Sequence, residues 1–444
     1  MRVAFVSNYI NHHQIPFCNA MYQILNGGFT FVQTEPMEEE RVRMGWHAAE
    51  RPSYVRCFYE EEAYCEKLIL DCDIVLFGGT DEESYITGRL RAGRPVIRIS
   101  ERLYKTGQWK AVSPRGLKKK YLDHTRYRNA PVYLLCAGAY VPSDFHIVRA
   151  YPDKMYCWGY FPETKKYDIE ELLRGKGFER EGVPHFLWAA RMIDWKHPEL
   201  AVETARHLKE KGIPFHMDMI GDGQLRPQME ALADRYGLKG MVGFPGYKPP
   251  EQVREYMEKA DVFLFTSDRQ EGWGAVANEA MNSGCAVIGN HMIGAVPFLI
   301  RNGQNGCIYE DKKSGQLFAL AERLAKDGGL TERLGRNAYQ TITQVWNAEF
   351  AAEKLMEFML GVLGESGEGK EYGAGETMPF GEKEGTGRPE GRGGENELAQ
   401  NTGGMMEKAG FAGKAEGTGL WPCAPAPILS EYRGRRLAAG LEHG

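Results

Sequence analysis

The chain lacks the marks of several protein classes. Among its 444 residues, no run approaches the roughly 20 consecutive apolar residues of a membrane-crossing helix. The opening stretch, MRVAFVSNYINHHQIP, has an apolar run too short for a secretory h-region, so no cleaved leader is expected. Nine cysteines include no C-x-x-C pair. They read as small buried hydrophobes in a reducing compartment, not as a disulfide frame or zinc site. The 55 basic and 60 acidic side chains leave a net charge of −5, which excludes the electrostatic footprint of a nucleic-acid binder. Gly221-Asp222-Gly223 lacks the third glycine of a dinucleotide-binding fingerprint. The expectation is a soluble cytoplasmic protein, with contact at the inner face of the membrane left open.

What the chain does have is alternation. Short apolar runs at Arg2 to Ser7, Phe29 to Gln33, Ile74 to Phe77, Val96 to Ser100, Tyr133 to Ala137 and Lys154 to Trp158 read as strands, with segments of helical spacing among them. The polar segment 162–183 reads as a linker with a short helix. The pattern then restarts with strands at His185 to Ala190, Phe215 to Gly221, Met241 to Pro245, Asp261 to Phe265 and Ala286 to Gly289. The expected class is α/β, with two Rossmann-like domains, 1–161 and 184–346, facing a cleft. A last amphipathic helix is expected over 347–364. Glycine and glutamate dominate 365–444 and large apolar residues are sparse, so a disordered tail is expected. Its apolar patch Leu420 to Leu429 is a candidate partner contact.

Candidate site residues of the second half fall just past strand ends, where ligands bind in open α/β sheets. The first strand exits into Arg191 and Lys196, which suit a diphosphate because arginine forks onto phosphate oxygens and lysine adds a mobile charge. The second exits into Gly221 and Gly223 and a later one into Ser267 and Glu271, followed by Gly272, Trp273 and Gly274. A helix expected from Gly274 would offer backbone N–H groups and the positive end of its dipole. Glu279 lies inside that helix. In the first half, the loop NYINHHQIP puts His12, His13 and Gln14 past the first strand, and Ser100, Glu101 and Arg102 follow another. The stretch KKKYLDHTRYR (Lys118 to Arg128) reads as a solvated basic helix face that could also meet an anionic membrane. Asp71-Cys72-Asp73 spells a metal-binding Asp-x-Asp but precedes a strand, so it reads as a helix-to-strand turn.

The order Arg191, Lys196, Gly221–Gly223, Glu271-x7-Glu279 resembles the retaining glycosyltransferases of the GT-B fold, in particular family 4 (glycosyl transferases group 1). The resemblance covers about Pro184 to Asn347. It implies a hexosyltransferase-type enzyme taking a nucleoside-diphosphate sugar as co-substrate, with no cofactor or metal and a glycan or lipid-linked acceptor, in bacterial surface-polysaccharide assembly. Glu271 would contact the donor sugar and Glu279 the ribose hydroxyls. Arg191 and Lys196 would stabilise the departing diphosphate. Gly221, Gly223, Ser267, Gly272, Trp273 and Gly274 would line the donor, and His12, His13, Gln14, Ser100 and Glu101 the acceptor side. Two departures stand out: Gly294-Ala295-Val296-Pro297-Phe298 lacks the acid of Gly-Gly-x-Pro-Glu, and the first loop is not glycine-rich. A nucleotide-sugar 2-epimerase and a non-catalytic sugar-nucleotide-binding subunit remain as alternatives.

Overall fold

The computed structural model describes residues 1–39, 50–108, 111, 113–178, 182–365 and 423. Two parallel sheets form the frame. The first has seven strands in the order β3-β2-β1-β4-β5-β6-β7. They are β1 (Val3–Ser7), β2 (Phe29–Gln33), β3 (Val55–Cys57), β4 (Ile74–Phe77), β5 (Val96–Ser100), β6 (Val132–Ala137) and β7 (Met155–Trp158). The second has six, β10-β9-β8-β11-β12-β13. They are β8 (His185–Ala189), β9 (His216–Ile220), β10 (Val242–Gly246), β11 (Val262–Phe265), β12 (Ala286–Asn290) and β13 (Cys307–Tyr309). Every residue of β1, β4, β6, β7, β8, β11 and β12 is buried, because helices cover both faces of a parallel sheet. Each sheet reverses its winding once, between β1 and β4 and between β8 and β11, and a crevice opens at such a reversal.

The edge strands β3 and β13 carry only three residues each, too few for a periodic signal. The helices Ser314–Lys326 and Gly328–Gln344 also lie outside the sequence reading.

The linker is bound to the second domain. Lys165 and Asn282 exchange backbone and side-chain bonds of 2.8 and 3.0 Å. The helix Ile169–Arg174 is capped by Asp168. Past it, the buried Lys176 ammonium donates to the carbonyls of Met257 and Ala260 at 3.2 and 2.6 Å. The final helix, Ala348–Glu365, buries Ala351, Leu355, Phe358 and Met359. Phe358 meets the rings of Tyr133 and Tyr156 at 5.4 and 4.6 Å, so it closes on the first sheet.

The tail expected to be disordered lies outside the described residues except at Cys423. There the backbone N–H donates to Met155 O at 2.8 Å, and the buried thiol sits beside Cys136 and Cys157. Cys423 is thus bonded to the edge strand β7, and the rest of the Leu420 to Leu429 patch lies outside the described residues. All nine cysteines are buried.

Candidate active site between the two sheets

The carboxyl ends of both sheets face one another, and the loops leaving them meet. Past β8, Arg191 is exposed and enters no ion pair among the described residues. Lys196 closes a short 3-10 turn, Asp194–Lys196. Its ammonium lies 4.3 Å from the Trp195 ring centroid and contacts the Glu271 carboxylate, which comes from the loop after β11. Both side chains are largely buried, 13% and 11% exposed, so water screens their attraction weakly. Lys196 O also accepts a 2.7 Å bond from Thr266 Oγ1, tying the exits of β8 and β11 together. Ser267 next to it is buried.

Gly221 and Gly223 have φ of +128° and +151°. A Cβ on Gly221 would lie 1.9 Å from Ala190 O, and one on Gly223 2.5 Å from Met192 O. Only glycine lets the β9 exit lie against the β8 exit in this way. The backbone bonds Met192 N to Asp222 O, 2.8 Å, and Leu225 N to Met192 O, 3.0 Å, seal the pair.

The helix after Glu271 spans Val276–Asn282, two residues later than expected, and no side chain caps its start. Gly274 before it has φ +88°. Glu279, on this helix, is partly buried and its carboxylate makes no hydrogen bond among the described residues. Burial pushes its carboxyl pKa up, while Arg254 and His12 pull it down. His12 belongs to the first domain, so the loop after β1 reaches the second domain's helix. The rings of His12 and His13 lie 3.8 Å apart, and burial lowers His13 to about 4, leaving it neutral at pH 7. Gln14 accepts a 3.1 Å bond from Asn11 Nδ2 and leads into the helix Ile15–Ile24.

Trp273 departs from its expected role. Its side chain is fully buried, its indole N–H donates to Asn278 Oδ1 at 2.8 Å, and its ring packs 5.5 Å from Trp346. The indole is an anchor beneath the loop, not a donor contact. A bulky aromatic beside glycines reads equally well as a ligand platform or as a core residue, and only the fold decides.

Backbone meets backbone between the domains. A Cβ on Gly138 of the first domain would lie 3.2 Å from Gly272 O of the second, and within the second domain one on Gly294 would lie 1.8 Å from the same oxygen. Ala139 N donates to Gly294 O at 3.0 Å, and Tyr140 Oη to His291 O at 2.8 Å. The Glu101 carboxylate lies over Gly272, where a Cβ would sit 2.0 Å from Glu101 Oε2. It is held by Lys105 and accepts a 2.6 Å bond from Tyr160 Oη. Ser100 Oγ turns back to Glu101 O at 2.8 Å. Arg102 is buried beside Asp144, 3.6 Å away, and over the Tyr140 ring.

Tyr160, Arg254, Asn278 and Tyr140 reach this site without a sequence signal, because their partners are far away in the chain. Asp71 and Asp73 stand at the amino end of β4, where Asp73 Oδ2 accepts the Arg2 N–H at 2.7 Å, at the opposite end of the sheet from the cleft.

Residues 169–341 match the family model for glycosyl transferases group 1. The putative colanic acid biosynthesis glycosyltransferase WcaL of Salmonella typhimurium is 28% identical over 185 residues, 40% of this chain and 45% of that protein. The amylovoran biosynthesis glycosyltransferase AmsK of Erwinia amylovora is 28% identical over 178 residues, 39% of this chain and 44% of that protein. The chain thus spans less than half the length of these curated relatives. Among solved structures, HepE of Anabaena in complex with UDP aligns over 81% of this chain and 100% of its own, with TM-score 0.59 and 14% identity. Sucrose-phosphate synthase from Thermosynechococcus elongatus aligns over 82% and 99%, with TM-score 0.60 and 15% identity. The fold is the GT-B arrangement of two Rossmann-like domains.

Proposed function

We propose that this protein is a retaining glycosyltransferase of family 4, moving a sugar from a nucleoside-diphosphate donor to a glycan or lipid-linked acceptor in surface-polysaccharide assembly. The observation carrying this reading is the Lys196–Glu271 pair joining the exits of β8 and β11, with Arg191 exposed on the same β8 exit, inside the stretch that matches group 1 glycosyl transferases. WcaL and AmsK, named for colanic acid and amylovoran biosynthesis, support the polysaccharide setting.

In this reading the unpaired Arg191 guanidinium takes the donor diphosphate, and Lys196, held in place by Glu271, shares it. Charge that develops on the leaving diphosphate meets two preset cations, a contribution of several kcal/mol for well-placed groups. Those cations make a metal unnecessary for the transfer. Glu271 sits beside the breaking bond. The Glu279 carboxylate is open to accept two ribose hydroxyls. Gly272 and Gly274 give their side-chain space to the Glu101 carboxylate and the Phe265 ring, so a donor would meet them through backbone groups only. His12, His13, Gln14, Ser100 and Glu101 line the acceptor side. No side chain is placed as a covalent nucleophile, so the acceptor attacks from the face the diphosphate leaves, and the leaving phosphate takes its proton.

The helix Pro114–Asp123 buries no residue and exposes Leu117, Tyr121 and Leu122 beside Lys118, Lys119 and Lys120. Apolar side chains flanked by lysines suit an anionic membrane surface, which would bring the cleft to a lipid-linked acceptor.

The test is a panel of sugar nucleotides, beginning with UDP-glucose, read by thermal shift and by nucleotide release. One donor should stabilise the fold and release its nucleotide only when acceptor is present. Isomerised donor without acceptor would favour the epimerase, and binding without turnover the non-catalytic subunit. Failure of every sugar nucleotide to bind would sink all three.

A further inference from the structure

At the far end of the second sheet from the cleft, three side chains converge that the transfer reaction does not use. His185 opens β8 and His216 opens β9, and the two are register partners across the parallel ladder. Asp218 follows His216 by two residues. Side chains alternate along a strand, so His216 and Asp218 share a face, and His185 stands across from His216 on that face.

The distances favour more than a hydrogen-bonded pair. His185 Nε2 lies 3.0 Å from Asp218 Oδ2, and His216 Nε2 lies 3.8 Å from Asp218 Oδ1. One candidate ligand atom from each residue falls within 4.8 Å of the other two. Zinc bound tetrahedrally at about 2.0–2.1 Å sets its ligand atoms roughly 3.3 Å apart. The two separations, each to a different oxygen of the one carboxylate, lie on either side of that edge. A strand staple would need only His185 and Asp218. It leaves unexplained why His216 turns its Nε2 to the other carboxylate oxygen, outside hydrogen-bond range.

The surroundings leave room for a fourth ligand. The His216 side chain is 47% exposed, so water reaches the group. On the next strand the residue beside Asp218 is Gly243, and a Cβ there would lie 2.7 Å from Asp218 Oδ1. Two imidazoles and one carboxylate suit Zn²⁺ or a similar transition ion better than Mg²⁺ or Ca²⁺, which prefer all-oxygen shells.

We infer that His185, His216 and Asp218 form a transition-metal site of the zinc class, which clips the first two strands of the second domain together. The inference does not depend on the proposed transfer reaction, because β8 begins at His185 and Arg191 lies past its other end.

The test uses the full chain without a histidine tag, stripped of metal and titrated with Co²⁺ and then Zn²⁺. One equivalent of Co²⁺ should bind and give visible d–d absorption, and Zn²⁺ should displace it. Saturating Zn²⁺ should raise Tm by roughly 5 °C or more. His216→Ala, at an exposed position, should keep its far-UV spectrum and lose metal affinity at least tenfold, and Asp218→Asn should do the same. Chelation should lower Tm without stopping nucleotide release at 25 °C. No stoichiometric uptake, or uptake weakened less than tenfold in both variants, would overturn the site.

Discussion

The two walls of the cleft share one topology and differ in what their loops carry. On the second domain, the strand exits hold charge: Lys196 pairs with Glu271, Arg191 lies exposed past the same strand as Lys196, and the Glu279 carboxylate makes no hydrogen bond among the described residues. On the first domain, the exits hold closure: Glu101 presses on Gly272, Tyr140 bonds to His291, and Gly138 meets Gly294. The scaffold is the same doubly wound sheet, so chemistry is set by loops grafted on it. In the proposed reaction the charged wall would carry the donor, and the closed wall would set how near the acceptor comes.

The largest expected effect falls on what joins the walls. Phe358→Ala removes a ring buried between Tyr133 and Tyr156 and should cost about 3–5 kcal/mol, read as a lower denaturant midpoint. A loss under about 1 kcal/mol would mean that the final helix does not hold the first domain.

Next comes the charged wall. Arg191→Ala or Lys196→Ala should lower kcat/KM by about 10²-fold or more, with little change in Tm. Glu271→Gln should lower kcat more than donor affinity. Unchanged kinetics in all three would move the chemistry elsewhere.

A smaller effect should separate the two glutamates. Ribose contacts act alike in ground and transition states, so Glu279→Gln should raise the donor KM, about tenfold, more than it lowers kcat. Calorimetry beside steady-state rates would read the split. A pure kcat loss would contradict it.

The smallest effect belongs to the first wall. Burial lowers His13 from 6.5 to about 4, so the unfolded chain binds the proton more readily. Stability is therefore full above about pH 6.5 and falls as pH drops from there toward about 4. His13→Gln should flatten that part of the Tm–pH curve. An unchanged slope would show that His13 is solvated.

Much of the frame was legible because strands buried on both faces are written as continuous apolar runs, as in ILE-VAL-LEU-PHE of β4 or the first strand of each half. β3 and β13 escaped because three residues carry no period. The charged wall was legible because Arg191, Gly221 and Glu271 each follow a recognisable strand. The other wall was not: nothing local says that Glu101 covers Gly272 or that the His12 charge acts on Glu279, since those pairs come near one another only after both sheets form. Trp273 shows the limit from the other side, since a residue inside a legible motif turned its ring into the core.

The meeting of Gly138, Gly272 and Gly294 has a mechanical consequence. Where side chains separate two jaws, their gap varies with rotamer, charge and salt. Here the jaws touch through main-chain atoms, so the resting gap is set by van der Waals radii and by the bonds from Ala139 to Gly294 and from Tyr140 to His291. A methyl group on Gly138 would have to occupy space 3.2 Å from both Gly272 O and Gly294 Cα, and would act as a shim that props the jaws open. The aperture of the cleft is thereby written in three absent side chains.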